Sequence, residues 1–386
     1  MKILYDLTAT QPNWNAKMHG GGNYGISVFL ALLNKHADME CAWDSSRFLS
    51  PTVAKACKEN DVVMHDVHQN DVEDILSHGN FGVYYSALMS DVGDKVDGVR
   101  YLATCHGLRG TEMPADKWAF KYKLPFKWRV RELIRVLFPN LLRARQVRKD
   151  TPFFKENDIK FVVASNHTKY SVLSYYPFLN PENIHVCWSP STSREWHGKA
   201  YSDQKYIFLV SGNRSEKNAL RALKALDELF SERPSLTKDL QVNIAGARRS
   251  DYRVKFINEE HFNFLGYVDD DTLNALYCGA WLFVYPSLNE GFGYPPVEAM
   301  RFGVPVIASP ISSISEVCQD AAMYFNPFDY HELKGRIFRM LDDKDCYNEY
   351  KSRSIRRYEE ITKKQNDDLD KLCQWIMNGG ELSVGR

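Results

Sequence analysis

Glu290 and Glu298, eight positions apart, are the residues of this chain best placed to do chemistry as a pair. They follow Ala280-Trp281-Leu282-Phe283-Val284-Tyr285, a short apolar and aromatic run between polar flanks that reads as a buried strand. The loop after it carries Gly291, Phe292 and Gly293, and its glycines permit backbone angles closed to other residues and a close approach of a ligand to the amides. Pro295 and Pro296 mark a helix start, where the missing donor is not needed. Glu298 is therefore expected in the first turn, where the helix dipole favours an ionised carboxylate. Carboxylates so placed sit at the C-terminal edge of a strand, where open α/β sheets bind ligands. Such a pair serves three chemistries: acid and nucleophile or base in glycoside hydrolysis, metal ligation, or acceptance of hydrogen bonds from sugar-nucleotide hydroxyls. The plain alternative makes Glu298 a helix-start carboxylate and Glu290 a solvated loop residue.

The stretch through Asp329 resembles the C-terminal signature of family 4 of the retaining nucleotide-sugar glycosyltransferases. Glu290 and Glu298 stand as its Glu-x7-Glu, followed by GVPVIASPISSISEV and DAAMYFNPFD. The resemblance implies a GT-B architecture, two Rossmann-like α/β domains with parallel sheets facing across a cleft. It also implies that Glu298 binds the donor ribose, that Glu290 holds donor sugar hydroxyls, and that Gly291, Phe292 and Gly293 belong to the donor site.

A second candidate lies upstream. Tyr206-Ile207-Phe208-Leu209-Val210 reads as a strand, followed by Ser211-Gly212-Asn213-Arg214-Ser215-Glu216-Lys217-Asn218 and an apolar-periodic helix from Ala219. Cleaving a nucleotide diphosphate from a sugar leaves charge on the departing phosphate, which Lys, Arg and backbone amides can stabilise without a metal. Arg214 and Lys217 suit that task, the alternative being ordinary surface cations. Many members of the resembled family carry Arg immediately before Lys-Asn, whereas Glu216 stands there in this chain, so Arg214 has to be folded back by its loop. Gly212, and the turn at Gly266 and Tyr267 where the family holds its nucleotide base, complete the donor set that the resemblance implies. Asp269-Asp270-Asp271 could hold a cation, but it precedes Leu273, Leu276 and Tyr277 and reads as a helix cap and first-turn acids. No metal site and no cofactor beyond the donor are expected. Gly303 is expected to cap the Glu298 helix, and Ser313 with Glu316 to form a capping box.

The first half opens with a strand over Lys2 to Leu7 and a helix over Gly25 to Leu33, joined by a polar loop containing Trp14 and His19. Gly20, Gly22 and Gly25 match G-x-G-x-x-G. A dinucleotide site is set aside, because the loop is too long for that tight turn and no acid clearly ends a second strand. The family resemblance instead implies that Gly21 and Gly22 lie in a glycine-rich loop that meets a donor phosphate or shapes the acceptor pocket. Runs at 61–65, 82–85 and 100–104 read as strands alternating with helices, the pattern of a parallel sheet. His106 follows the last of them, as a general base, a sugar-hydroxyl partner or a structural residue. The resemblance implies that it faces the donor sugar, so that Glu290, Lys217, Arg214 and His106 form the catalytic set, with no side-chain nucleophile.

At 386 residues the chain accommodates two cores. The expected division is 1–187, a linker at 188–204, 205–364, and a terminal helix at 365–386 that crosses back to the first domain through Leu369, Leu372, Cys373 and Ile376. Forty-nine basic residues balance forty-nine acidic ones, and eight cysteines contain no Cys-x-x-Cys, as in a reduced protein without structural zinc. No signal pattern or membrane-length apolar run is evident. Between 117 and 149, however, eleven Lys/Arg face one acid, Glu132, interleaved with Trp118, Phe120, Tyr122, Phe126, Trp128 and Phe138. Nucleic acid lacks a recognisable module here. The segment is either a solvated basic face with aromatics in the core or a patch for an anionic membrane surface.

The expectation is a retaining, metal-independent hexosyltransferase, cytoplasmic and peripheral at the inner face of the membrane. It would take a mannose-type or a glucose or N-acetylglucosamine-type donor to a lipid-linked saccharide acceptor in surface polysaccharide assembly. The rivals are an epimerase or phosphorylase of the same architecture, and a non-catalytic nucleotide-binding subunit.

Overall fold

The computed structural model describes residues 1–12, 20–89, 95–156, 159–191 and 196–381, so that Trp14 and His19 lie outside the described residues. The chain divides into two compact units. Unit 1 comprises Met1–Leu108, Val147–Thr192 and Thr362–Arg386, and unit 2 comprises Arg109–Gln146 and Ser193–Ile361. Residues 109–146, assigned to the first domain on sequence, thus belong to unit 2.

Unit 1 is built on β1 (Ile3–Asp6), β2 (Met39–Trp43), β3 (Met64–Asp66), β4 (Val83–Ser86), β5 (Arg100–Cys105), β6 (Lys160–Val163) and β7 (Ile184–Val186). They form one sheet in the order β3-β2-β1-β4-β5-β6-β7, every neighbouring pair parallel. The central strands β1 and β4 are buried at every residue, as a sheet covered on both faces requires. Leu372, Cys373, Trp375 and Ile376, near the end of helix Lys344–Met377, are fully buried in this core.

Three expectations change here. The helix after β1 begins at Gly20 and not Gly25, so GGGNYG forms its first turns and not a loop. Gly25 is there for packing: Tyr5 donates to its carbonyl, and a Cβ on it would lie 2.6 Å from Thr10 Cγ2. The third strand starts at Met64, because Asp61 at φ 49° turns the chain just before it. Strand β2 escapes a pattern search, being five residues of mixed character, and Asp44 follows it directly. An acid therefore does stand at that strand end, but its carboxylate is occupied by the Ser46 amide and hydroxyl and by Arg47.

Unit 2 carries β8 (Tyr206–Leu209), β9 (Gln241–Ala245), β10 (Phe262–Gly266), β11 (Leu282–Tyr285), β12 (Val306–Ala308) and β13 (Ala322–Tyr324) in the all-parallel order β10-β9-β8-β11-β12-β13. The strand order reverses between β8 and β11, which makes the C-terminal ends of these two strands the switch point where such sheets open a ligand crevice.

The basic segment runs through several elements, the last of them helix Pro139–Glu156, and its first two parts differ in environment. Its first part is bolted to unit 2 by an antiparallel bridge between Tyr122 and Tyr252, with Lys123 N donating to Asp251 O and Arg253 N to Lys121 O. Tyr122 is 2% exposed and its hydroxyl accepts the Leu220 amide. Asp116, 9% exposed, takes both guanidinium arms of buried Arg221 at 2.7 and 2.8 Å. Its second part, helix Phe126–Leu137, exposes Phe126, Val130, Leu133 and Leu137. Aromatics in the core and an uncovered amphipathic helix therefore coexist in one segment. Among the described residues no helix is long and apolar enough to cross a membrane.

Candidate functional site

Both cationic and acidic candidates of unit 2 sit at the switch point. After β8 the chain makes a tight turn, Ser215–Lys217, closed by the Lys217 amide on the Arg214 carbonyl. Asn218 follows in the left-handed region at φ 56°, which asparagine tolerates better than most residues. The loop after β11 is sewn to this turn residue by residue. Leu288 N donates to Glu216 O at 2.8 Å, and Asn218 Nδ2 donates to the Pro286 carbonyl at 3.0 Å and, in the loop after β13, to the Pro327 carbonyl at 2.8 Å.

This stitching brings Lys217 and Glu290 into contact, 6% and 8% exposed respectively. Glu290 Oε1 accepts from Lys217 Nζ, from Tyr285 Oη at 2.6 Å and from Ser287 Oγ at 2.5 Å, and none of the three bonds uses Oε2. Lys217 Nζ also donates to Tyr285 Oη at 2.9 Å. Burial works to raise the Glu290 pKa, but the Lys217 charge and the donated hydrogen bonds outweigh it and hold the carboxyl below its ordinary value. Burial lowers the Lys217 pKa, opposed by Glu290. Burial and then the Glu290 charge push the Tyr285 hydroxyl well above its usual range, so it remains a donor. Glu290 is thus no solvated loop residue.

A lowered folded-state pKa makes the Glu290 contribution fully present above about pH 4.5 and progressively lost as pH falls through the lower folded value. Urea midpoints measured from pH 7 down to pH 3 are therefore expected to fall less steeply in Glu290→Gln than in the parent protein.

The other candidates take varied places. Arg214 is held by Glu216, Nε at 2.8 Å and Nη2 at 2.6 Å from Oε1, beside the Lys217 turn. Gly212 is packed so tightly that a Cβ would lie 2.6 Å from Ile244 Cγ2 and 2.9 Å from the Tyr252 hydroxyl. Gly291, Phe292 and Gly293 follow Glu290, with Phe292 buried against Tyr294 and Gly293 at φ 98° opening helix Tyr294–Arg301. Because that helix starts at Tyr294, Glu298 is its fifth residue and lies beyond the first turn, 3.9 Å from Arg301. Glu298 is therefore not a first-turn carboxylate stabilised by the helix dipole. Gly266, at φ 65°, ends β10 and Tyr267 after it is exposed. Asp269 caps helix Asp270–Gly279 by accepting the Thr272 amide at 2.8 Å, and Gly303 takes φ 68° just past the Glu298 helix. Ser313 forms no capping box, since its hydroxyl donates to the Glu290 carbonyl at 3.3 Å.

His106, Gly21 and Gly22 belong to unit 1. His106 follows β5 directly, its Nε2 lies 2.8 Å from the Ala87 carbonyl, and its ring meets Tyr24 edge to face at 4.5 Å. Gly21 and Gly22 lie in the first turn of helix Gly20–Asn34.

Tyr285 and Ser287 contact Glu290, and Asn218 ties the two loops together, three residues that no motif singles out as part of the site. Tyr285 offers a hydroxyl at the edge of an otherwise apolar run, and that was the one available signal. Ser287 and Asn218 become visible only once their loops are brought together.

Residues 192–357 match the family model described as glycosyl transferases group 1. The O-antigen chain mannosyltransferase B of Escherichia coli is 45% identical over 85 residues, 22% of this chain and 22% of that protein. The serotype-specific mannosyltransferase WbdA of Escherichia coli is 42% identical over 92 residues, 24% of this chain and 11% of that protein. The matched segments thus span a quarter or less of these relatives. The crystal structure of WaaG, a glycosyltransferase involved in lipopolysaccharide biosynthesis, superposes with a TM-score of 0.62 at 14% identity, covering 99% of this chain and all of that one. At that identity the likeness speaks for the fold, two parallel-sheet units of the GT-B kind.

Proposed function

With residues 192–357 belonging to the group 1 glycosyltransferases, we propose that this chain transfers a mannosyl residue, with retention of configuration, from GDP-mannose to a lipid-linked saccharide acceptor in surface polysaccharide assembly. The observation that carries the reading is the buried contact of Lys217 with Glu290 at the ends of β8 and β11. It sets a cation and a carboxylate side by side where a sheet of this order binds its ligand. Mannose is favoured by what the two Escherichia coli relatives are named for.

Departure of the nucleotide breaks the bond from the anomeric carbon to the β-phosphate oxygen and leaves negative charge on that phosphate. An ammonium has three N–H donors. Lys217 gives two of them to Tyr285 and Glu290, which leaves the third for a phosphate oxygen. Arg214 adds a second cation from the same turn, and two placed cations stabilise the leaving group without a metal ion. Glu290 Oε2 accepts from donor sugar hydroxyls, Glu298 from the ribose, the turn at Gly266 and Tyr267 borders the base, and His106 meets a sugar hydroxyl. The acceptor hydroxyl attacks on the face that the phosphate leaves, its proton passes to the departing phosphate oxygen, and configuration is kept.

The stripe Phe126, Val130, Leu133 and Leu137, at 81, 39, 47 and 60% exposure, recurs at helical spacing, with Lys127 and Arg129 between its first two members. A basic helix with one uncovered apolar face suits an anionic bilayer surface, which would hold the enzyme beside lipid-linked acceptors on the cytoplasmic side.

A thermal-shift panel of GDP, UDP and ADP with their sugar conjugates, without magnesium, tests the reading. A ligand at 100 times its Kd stabilises the fold by about 2.7 kcal/mol, and GDP and GDP-mannose are expected to give the largest shift. A shift with UDP or ADP conjugates alone would overturn the choice of mannose. No shift with any of them would leave a non-catalytic partner as the better description.

A further inference from the structure

The turn that carries Lys217 also forms one wall of a cavity of about 400 Å³ within unit 2. Helix Phe126–Leu137 supplies much of the rest, through Trp128, Arg131, Glu132 and Arg135. Those four positions recur at the spacing of one helical face, opposite the exposed stripe of Phe126, Val130, Leu133 and Leu137. The helix therefore presents an uncovered apolar face on one side and a charged one on the other.

Four guanidinium groups line the cavity, those of Arg109, Arg131, Arg135 and Arg214, against the carboxylates of Glu132 and Glu216. This leaves a surplus of two positive charges. The carboxylates are not idle. Glu132, 7% exposed, holds Arg135, while Glu216 holds Arg214 at 2.6 Å with Arg109 3.8 Å away. Arg131 lies with its guanidinium carbon 5.3 Å from the centre of the Trp128 ring. Met113, Leu124 and Trp128 give the same cavity an apolar wall. Guanidinium forks match phosphate oxygens in pairs, and an apolar wall beside them selects an amphiphile over a bare anion.

We propose that this cavity holds the diphosphate that joins the acceptor saccharide to its lipid, with Arg109 and Arg131 as its main phosphate ligands and Met113, Leu124 and Trp128 against the first lipid carbons. A diphosphate diester carries two negative charges at neutral pH, one for each of Arg109 and Arg131. The inference rests on the lipid-linked acceptor named above and gives that acceptor an anchoring point. Donor and acceptor phosphates then lie on either side of one turn, Lys217 serving the first and the Arg109–Arg131 cavity the second.

Isothermal titration of the full chain with farnesyl diphosphate, farnesol and inorganic diphosphate, in the absence of donor, tests it. Farnesyl diphosphate is expected to bind at least tenfold more tightly than either of the others. Its affinity should fall at least tenfold in Arg109→Gln/Arg131→Gln, and by less in each single variant. Glu132 and Glu216 keep their hydrogen-bonded arginines in these variants, so melting temperatures should match the parent and report that the fold is intact. GDP and UDP should leave farnesyl diphosphate binding unchanged. Equal affinity in the double variant, equal binding of inorganic diphosphate, or displacement by either nucleotide would overturn the proposal. Because the titration needs no turnover, its failure is separate from a failure of the nucleotide panel.

Discussion

Lys217→Ala is expected to lower turnover by roughly 10²–10³-fold, the range for removing one group that stabilises charge developing in a transition state. The same substitution strands Glu290, a carboxylate 8% exposed that loses its only buried cationic partner among the described residues. Breaking one side of a buried ion pair costs about 3–5 kcal/mol, so the variant should also melt earlier, and a drop in activity alone would not separate folding from chemistry. The double variant Lys217→Met/Glu290→Gln does separate them. Replacing both charges by neutral groups of similar size is close to neutral for stability, so melting should return toward the parent value while turnover stays low. Recovery of turnover together with stability would assign the pair a structural role only, and would remove the observation on which the functional reading rests.

Asp116→Ala carries the second large effect, on stability. Asp116 takes both arms of Arg221, and the two side chains are 10% and 5% exposed. Loss of the carboxylate leaves a buried guanidinium with Asn218 Oδ1 as its remaining side-chain acceptor in this contact, at 2.8 Å. The expected cost is again about 3–5 kcal/mol, a fall in melting temperature of roughly 10 °C for a unit of this size. Arg221→Met/Asp116→Leu should recover most of it. Turnover measured well below the melting temperature should change by less than about tenfold, because among the described residues Arg221 reaches the Lys217 turn through Asn218. A variant that keeps its melting temperature but loses activity would place Asp116 in the chemistry.

The two predictions mark where sequence reading succeeds and where it stops. Local pattern suffices for Tyr206 to Asn218 and for Ala280 to Met300, because each is a buried strand, a loop with special backbone residues and a helix start in immediate succession. Their meeting at the switch point follows from the parallel order of the sheet. A helix start read at Pro295 lies one position late, enough to put the Glu298 carboxylate in the first turn on sequence and outside it in the structure, because Tyr294 joins the helix ahead of the two prolines. The placement of 109–146 in unit 2 was out of reach for a different reason. It depends on Tyr122 reaching Leu220 and Asp116 reaching Arg221, contacts across about a hundred positions that leave no periodicity in either stretch. Ser313 shows the same limit on a small scale: its spacing to Glu316 spells a cap, yet its hydroxyl is drawn to a carbonyl twenty-three residues earlier.

The interleaving of the two units bears on the order in which the protein can be made. Domains commonly fold as units during synthesis, the earlier one first. Here the sheet that begins with Ile3 draws Leu372, Cys373, Trp375 and Ile376 into its core, whereas unit 2 is fully translated by Ile361. The unit that starts first is therefore completed last. While residues 362 to 376 are being added, unit 2 is already synthesised and the first sheet still lacks Trp375 on its apolar face. Apolar surface exposed during that interval makes the nascent chain more prone to aggregate than the finished molecule, in which Trp375 is buried.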